Sequence, residues 1–190
     1  QAGETDASFI MRLLEQEGIY FYFEHSAGAQ TLILCDNLAA HRPRGGYETL
    51  PFEHGGLDGG MHIDQEHFAW WRCGKTVDSG RVIVNDYDYF RPSADLKVNI
   101  ADSRPHGQAH HDVYLWHSEY YDEGRGRHFA EMRLQAADAV YQTALGSGPV
   151  HGLGSGLLFS LIDHPRSDQN REYLIVSEQL NLEENKYETT

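Results

Sequence analysis

An apolar helical segment near the N-terminus ends at a glycine and is followed at once by an aromatic strand. Between residues 6 and 17, one helix face carries the apolar residues Phe9, Ile10, Leu13 and Leu14. Thr5 is placed to cap the start of this helix, and Gly18 stands where a helix commonly ends in a left-handed residue. Because each buried apolar side chain contributes about 1.5–3 kcal/mol, we expect the helix to lie on a sheet. Leu13→Ala is then expected to cost about 2–5 kcal/mol.

The rest of the chain is rich in strand patterns. Tyr20 and Tyr22 alternate with Phe21 and Phe23, which places the two pairs on opposite faces of a strand over 19–25. Further strands are predicted at 31–35, 61–77, 81–90, 113–121, 157–163 and 172–180, with irregular connections at 41–60 and 146–156. Helices and strands do not alternate as βαβ units. The pattern therefore predicts a mainly β protein with two helices and antiparallel sheets.

A second helix is predicted over 124–145. Its apolar side carries Phe129, Met132, Ala136 and Val140, with Leu134, Ala137, Tyr141 and Ala144 beside them. Residues 101–111 are polar and contain Pro105, which is typical of a connection between domains. We therefore predict two domains, 1–105 and 106–190, each with one helix.

Charge and composition exclude several classes of function. Fifteen Lys and Arg against 29 Asp and Glu give a net charge of −14, so the surface repels phosphate backbones and a nucleic-acid partner is not expected. No apolar run is long enough for a membrane helix, so we expect no stable membrane insertion by this segment. Cys35 and Cys73 are the only cysteines, and their spacing indicates neither a disulfide framework nor a zinc site. The chain begins with Gln1 rather than methionine, so we expect an excerpt of a longer protein.

One histidine-rich stretch is the best candidate for a metal site. Its potential ligands are His106, His110, His111, Asp112 and His117. Imidazoles four residues apart meet on one helix face, but Pro105 and Gly107 argue against a helix here. No fixed scaffold can be named for these side chains, and no hydrogen-bond partners that would orient them as ligands. A solvated linker is the favoured interpretation, and we expect no bound metal.

Other candidates for catalysis or cofactor binding are equally weak. Asp86 and Asp88 share one face of the strand predicted over 81–90, as paired acid and base carboxylates can, but a solvated strand face is favoured. Residues 69–76 fit a relaxed phosphate-loop pattern whose positions are filled by bulky side chains, which favours a strand. Ser155 lacks the flanking glycines of a nucleophile elbow. We therefore expect no catalytic residue and no cofactor, and a hydrolase is the least favoured function.

Four stretches of the sequence, taken in order along the chain, match the pattern of one known family. They are residues 4–23, 34–36, 84–92, and 164–166 with 170–176. Together they resemble the VgrG family, the spike proteins of bacterial type VI secretion systems, over nearly the whole chain. The residues expected to carry this structural motif are Phe9, Leu13, Leu14, Gly18, Tyr20, Asp86, Tyr87, Asp88, Pro165 and Tyr173.

The resemblance implies a structural role rather than a reaction. It implies a pair of related antiparallel β-barrels, like those of the baseplate hub of contractile phage tails, with residues 86–88 in a barrel strand. The expected assembly is a homotrimer that joins a hexameric secretion tube, with effectors or adaptors as further partners. Such a spike is expected to assemble in the bacterial cytoplasm and to be secreted to the exterior or a target cell. A phage tail baseplate hub proper shares this fold and stays open as an alternative.

Overall fold

The computed structural model describes residues 3–53, 66–102, 107, 109–116 and 120–182. Its α-helices are α1 (Asp6–Gln16) and α2 (Glu123–Tyr141). Its strands are β1 (Tyr20–Ser26), β2 (Ala29–Cys35), β3 (Arg42–Pro43), β4 (Thr49–Pro51), β5 (Trp70–Lys75), β6 (Arg81–Asn85), β7 (Val98–Ala101), β8 (Asp112–Trp116), β9 (Gln142–Ser147), β10 (Leu157–Ile162) and β11 (Glu172–Leu174). The prediction of a mainly β chain with two helices is confirmed for these residues. Within the same ranges, neither helix combines the length and apolarity that crossing a membrane requires.

The strands form four sheets within the described residues. β1 pairs with β2, β5 pairs with β9, and β6 lies between β7 and β8. In the largest sheet β10 is central and pairs with β11, β3 and β4. None of these sheets closes on itself in the described part of the chain, so the expected barrels are not seen here.

The sheets are mixed, so the prediction of antiparallel sheets is only partly right. β6 pairs antiparallel with β7 but parallel with β8. β10 likewise pairs antiparallel with β11 but parallel with β3 and β4. Parallel neighbours need a long connection between them, and here they are far apart in sequence. Local alternation cannot report such pairings, which explains the difference.

Several elements have other limits than the sequence predicts. The strand predicted over 81–90 ends at Asn85, and the second helix ends at Tyr141 because the following residues form β9 against β5. β3 and β4 lie within the stretch 41–60 that was expected to be irregular, and β7 was not predicted. The first part of the strand predicted over 61–77 lies outside the described residues.

α1 has the predicted caps but not the predicted burial. The Thr5 side chain accepts a hydrogen bond from the Ser8 backbone N–H at 3.2 Å, and Gly18 has a φ of 73°. No residue of α1 is buried, and Leu13 is 41% exposed. The physical reason is that α1 lies against α2 rather than on a sheet. The expected cost of 2–5 kcal/mol for Leu13→Ala therefore does not apply to this chain.

The chain divides into two compact units, and each is built from separate stretches of sequence. Unit 1 contains 1–20, 34–36 and 72–145, and unit 2 contains 21–33, 37–71 and 146–190. The predicted boundary at residue 105 falls inside unit 1, because β8 returns after it to pair with β6. The division by contacts therefore differs from the domains 1–105 and 106–190.

The core of unit 1 lies between α2 and the sheet of β6 and β7. Its buried residues are Val82, Val84, Leu96, Val98, Tyr120, Ala130 and Leu134. α2 buries Gly126, Ala130 and Leu134, whereas the predicted apolar side included Val140, which is exposed. The difference arises because small residues at one-turn spacing let the helix approach closely: a Cβ at Gly126 would lie 2.5 Å from a ring carbon of Tyr120.

The core of unit 2 is mostly aromatic and surrounds β10. Its buried residues are Leu50, Phe52, Phe68, Phe159 and Leu161, and around them pack Tyr47, Trp71, Val150, Leu153, Tyr173 and Ile175. The Phe159 ring lies 5.2 Å from the Phe68 ring and 5.9 Å from the Tyr173 ring, measured between centroids. Tyr173, a predicted motif residue, thus belongs to this core.

Candidate interaction surfaces

The segment 86–91, which we call the aromatic loop, follows β6 and is held by two buried carboxylates. Asp86 is 9% exposed and Asp88 is 4% exposed. One Asp86 oxygen accepts a hydrogen bond from the Tyr87 backbone N–H at 2.7 Å, and the other accepts from the Tyr120 backbone N–H at 3.2 Å. Asp86 therefore ties the aromatic loop to the segment that leads into α2.

Asp88 closes the second half of the aromatic loop. Its Oδ1 accepts hydrogen bonds from the backbone N–H groups of Phe90 at 2.9 Å and Arg91 at 3.3 Å. Its Oδ2 accepts from Arg91 Nε at 2.8 Å, and this bond lowers the pKa of Asp88 below its ordinary value of 3.8. The Arg91 guanidinium also donates to the Tyr121 carbonyl at 2.5 Å. The ionised carboxylate is therefore part of the loop structure.

The aromatic loop places its rings in solvent. Tyr87 is 54% exposed, Tyr89 is 63% exposed and Phe90 is 77% exposed. The sequence correctly predicted that the aspartates and the tyrosines face opposite ways. The prediction that the aspartates lie on the solvated face of a strand is wrong. The segment is not a strand, and the carboxylates point inward because they accept from backbone N–H groups of a turn. With both carboxylates used in this way, the paired acid and base interpretation has no support.

Tyr120 holds the aromatic loop through Asp86, which accepts from its backbone N–H. The sequence pattern did not identify this residue. It is buried, and its hydroxyl donates to the Leu96 carbonyl at 2.5 Å. Burial, together with the nearby Asp86 carboxylate, raises the pKa of Tyr120 from 10.0 to about 12. A usable signal was present: Tyr120 stands two residues before the capping residue Asp122, and Gly126 lies one turn after that cap.

The C-terminal motif forms a second fixed turn, in unit 2. Asn170 bridges it, because its Oδ1 accepts from the His164 N–H at 2.8 Å and its Nδ2 donates to the His164 carbonyl at 3.0 Å. The Tyr173 hydroxyl donates to the carbonyl of buried Gln169 at 3.1 Å. Pro165 is exposed at the tip of the turn. The motif residues here stabilise a turn and the core beside it.

α1 presents an apolar stripe to solvent while charges hold its C-terminal end. Ile10, Met11 and Leu13 are exposed, whereas Phe9 and Leu14 are half-buried. Glu15 pairs with Arg133 of α2 at 2.6 Å. Glu17 pairs with Arg125, and this hydrogen bond lowers the pKa of Glu17 below 4.5. A side chain in place of Gly18 would collide with the Met132 sulfur. Tyr20, the next motif residue, is exposed and opens β1.

The predicted metal and phosphate candidates do not form a site among the described residues. His110 and His111 lie with their ring centroids 4.3 Å apart, while His106 and His117 fall outside the described residues. Across the described ranges no group of three or more His, Cys, Asp or Glu could hold a metal ion. Trp70–Lys75 form β5, as the strand interpretation predicted. Cys35 and Cys73 do not form a disulfide.

Comparison with known proteins gives a consistent result along the chain. The family described as phage tail baseplate hub (GPD) matches residues 1–186. The type VI secretion system spike protein VgrG1a of Pseudomonas aeruginosa is 39% identical over 189 residues, covering 100% of this chain and 29% of that protein. VgrG1c of the same species is 36% identical over 189 residues, covering 100% of this chain and 26% of that protein. The chain thus spans less than a third of the length of these spike proteins.

One solved structure has a similar fold. It is the 43 kDa tail protein of prophage MuSo2 from Shewanella oneidensis, with a TM-score of 0.60 and 14% sequence identity. The match covers 93% of this chain and 48% of that chain. At this identity the similarity concerns the fold alone.

Proposed function

The chain belongs to the phage tail baseplate hub (GPD) family, and we propose that it is a structural hub segment of a VgrG-type spike of a type VI secretion system. The observation that carries the proposal is that named spike proteins match this chain from end to end. The role is mechanical: the segment holds the spike on its tube and transmits force. Both buried carboxylates of the aromatic loop serve the fold, which agrees with a role without catalysis.

The proposed assembly is a homotrimer that sits on a hexameric secretion tube and carries effectors or adaptors. In this proposal the sheets are parts of two related β-barrels per chain, so that three chains offer six similar surfaces to the tube. Closed cyclic symmetry is the common arrangement for a homo-oligomer, because it leaves no unpaired interface. The spike assembles in the bacterial cytoplasm and leaves the cell through the apparatus.

The aromatic loop is the part of unit 1 that we propose as an assembly contact. Tyr, Phe and Arg are enriched where protein interfaces gain most of their binding energy. Here Tyr87, Tyr89 and Phe90 are exposed, while the backbone beneath them is fixed by Asp86 and Asp88. A fixed backbone reduces the entropy lost when the exposed rings become buried.

Secretion of the tube protein tests this function in the bacterium that carries the gene. Deleting the gene is expected to abolish secretion, and the full-length gene is expected to restore it. A variant with Tyr87→Ser, Tyr89→Ser and Phe90→Ser is expected to fold but not to restore secretion. The matched control replaces three exposed apolar residues elsewhere in unit 1, by Val77→Ser, Val140→Ser and Leu145→Ser, and should restore it. Normal secretion after deletion of the gene would overturn the hub role; normal secretion with the loop variant would overturn only the loop contact.

A phage tail baseplate hub proper is the second candidate, favoured by the fold shared with a prophage tail protein. The two candidates differ in the apparatus that contains the protein. Purification of the tagged full-length protein from its host is expected to recover type VI tube and sheath proteins. Recovery of phage tail proteins and intact phage particles instead would establish the second candidate.

A further inference from the structure

Unit 2 contains a groove that runs along the edge of β1. Its volume is about 630 Å³, and its lining includes the consecutive residues 21–25 on one side and 153–155 with Leu157 on the other. Successive residues of a strand point to opposite faces of the sheet. Because the cavity is lined by five consecutive residues of β1, it follows the edge of the strand rather than one face of the sheet.

Within the described residues, no strand pairs with the outer edge of β1. In the described residues β1 pairs with β2 alone, through a two-residue loop in which Gly28 has a φ of 80°. The residues that flank such a loop form a hydrogen-bonded pair, so every second residue back from Ser26 bonds to β2. Phe21, Phe23 and His25 then direct their N–H and C=O groups outward, along the groove. An edge of this kind is a template for an added strand.

The groove is held open by packed side chains. The Tyr22 ring lies against Gly156, and a side chain at position 156 would collide with this ring. The centroids of the Tyr22 and His41 rings lie 5.2 Å apart. His41 is buried, and its Nδ1 donates to the Gly156 carbonyl at 2.7 Å. These contacts fix β1 relative to the start of β10, so the site exists before anything binds. The binding site itself therefore loses little conformational entropy when a ligand binds.

Side chains along the groove indicate the chemistry of what binds there. Phe21, Phe23 and Leu157 supply apolar contacts, and Glu24 and Glu178 supply carboxylates. The one arginine of the lining, Arg44, already donates to the Gly152 carbonyl at 3.3 Å and lies 6.0 Å from the Tyr47 ring. The whole chain carries a net charge of −14, which attracts cations over a longer range.

From this arrangement we propose that the β1 edge accepts an extended segment of another protein as an added strand, and that this segment alternates apolar with basic residues. Its backbone pairs with the outward groups of Phe21, Phe23 and His25. Its apolar side chains contact the two phenylalanines, and its cations face Glu24 and Glu178. This binding is a property of unit 2 and goes beyond the mechanical role proposed above.

Fluorescence polarisation with the 190-residue chain tests the proposal. The probe is a fluorescein-labelled heptapeptide of alternating valine and lysine, and the matched probe carries glutamate in place of lysine. We expect saturable binding of the lysine peptide and at least about tenfold weaker binding of the glutamate peptide. Two further probes carry backbone N-methyl groups on the valines or on the lysines, and one of them should lose about tenfold in affinity. Equal binding of all four peptides, or no binding of the lysine peptide, would overturn the proposal.

Two charge reversals locate the binding on the chain. Glu178→Lys, in the groove, is expected to weaken the lysine peptide about tenfold, whereas Glu172→Lys, exposed on β11 outside the lining, should not. Far-UV circular dichroism confirms that both variants fold. Sedimentation velocity covers another occupant: self-association of the chain that Glu178→Lys abolishes would make a second copy the ligand and overturn the proposal. The peptide assay needs no spike assembly, so its failure leaves the proposed function untouched.

Discussion

The two units of this chain fill their cores with different side chains. Unit 1 packs aliphatic residues such as Val84 and Leu134 between α2 and a sheet, together with one fully buried tyrosine, Tyr120. Unit 2 has no α-helix among its described residues and packs rings instead, with Phe159 at the centre. Small and branched side chains suit a helix that approaches a sheet closely. Where no helix covers the sheet, aromatic rings supply the buried area, because each buries about 150–250 Å².

The two units also differ in the polar groups that hold their exposed turns. Unit 1 relies on charge, since Asp86 and Asp88 accept hydrogen bonds from the backbone of the aromatic loop. In unit 2 amides contribute as well, since Asn170 bridges the turn and buried Gln169 accepts from the Tyr173 hydroxyl. The Gln169 amide also donates to Asp168, which pairs with Arg166. Asp86, Asp88, Asn170 and Tyr173 lie in stretches that the sequence predicts to be family motifs, whereas Gln169 lies between two such stretches. The comparison indicates that two exposed turns are fixed differently, one by Asp86 and Asp88 and one by amides together with Asp168.

The largest expected effect is the loss of the central ring of unit 2. Phe159→Ala should cost about 3–5 kcal/mol, since Phe159 contacts Phe68, Trp71 and Tyr173. Hydrogen exchange is expected to show faster exchange in β10 and β11, with β6 and β7 little changed. Leu134→Ala is the matched control in unit 1 and should give the reverse pattern. Equal acceleration in both units for both variants would show that they unfold as one body.

A smaller effect is expected from removing a charged anchor of unit 1. Asp86→Ala leaves the Tyr120 backbone N–H without its acceptor and should cost about 1–3 kcal/mol, measured by urea unfolding. Asp36→Ala, at an exposed aspartate, should change stability by no more than about 0.5 kcal/mol. If both variants unfold at the same urea concentration, the carboxylate does not hold the aromatic loop.

Alkaline pH should weaken unit 1 through Tyr120. Its pKa is raised from 10.0 in the unfolded chain to about 12 in the fold, so the folded state keeps a proton that the unfolded state loses. The contribution to stability is therefore complete below pH 10 and is lost as pH rises toward 12. Tyr120→Phe removes the hydroxyl that donates to Leu96 and should cost about 1 kcal/mol at neutral pH. The decline in stability between pH 10 and 12 should be shallower in Tyr120→Phe than in the parent chain, and parallel curves would contradict the assignment.

The smallest effect is expected on α1. Leu13 is 41% exposed, so Leu13→Ala should cost less than about 1 kcal/mol in thermal or urea unfolding. Glu15→Ala, which removes an exposed ion pair with Arg133, should cost a similarly small amount. A loss of about 2–5 kcal/mol for Leu13→Ala alone would show that the apolar stripe is buried after all.

Local features of this fold could be predicted, and features that depend on distant partners could not. Thr5 and Gly18 mark the ends of α1 because caps depend on a few neighbouring residues. The alternation of Asp86 and Tyr87 was also predicted, but not that the carboxylate faces inward, since its acceptor role involves Tyr120. The parallel pairing of β10 with β3 and β4 could not be predicted either, because these strands lie far apart in the sequence.

The buried face of α2 shows where side-chain type alone misleads. The prediction placed Phe129, Met132, Ala136 and Val140 on the apolar side, with Leu134 beside them. Leu134 is buried, but the other residues that α2 turns toward the core are Gly126 and Ala130. A glycine carries no hydrophobic signal, yet here it allows Tyr120 to pack against the helix. On α1 the error was opposite: an apolar stripe was assigned to a core, although it lies exposed next to ion pairs.

Native mass spectrometry of the full-length protein tests the proposed hub role most directly. A spike hub with closed threefold symmetry should give a mass of three chains, and this mass should persist as protein concentration is lowered through the micromolar range. A single-chain mass under the same conditions, for a protein whose circular dichroism shows it to be folded, would contradict the account.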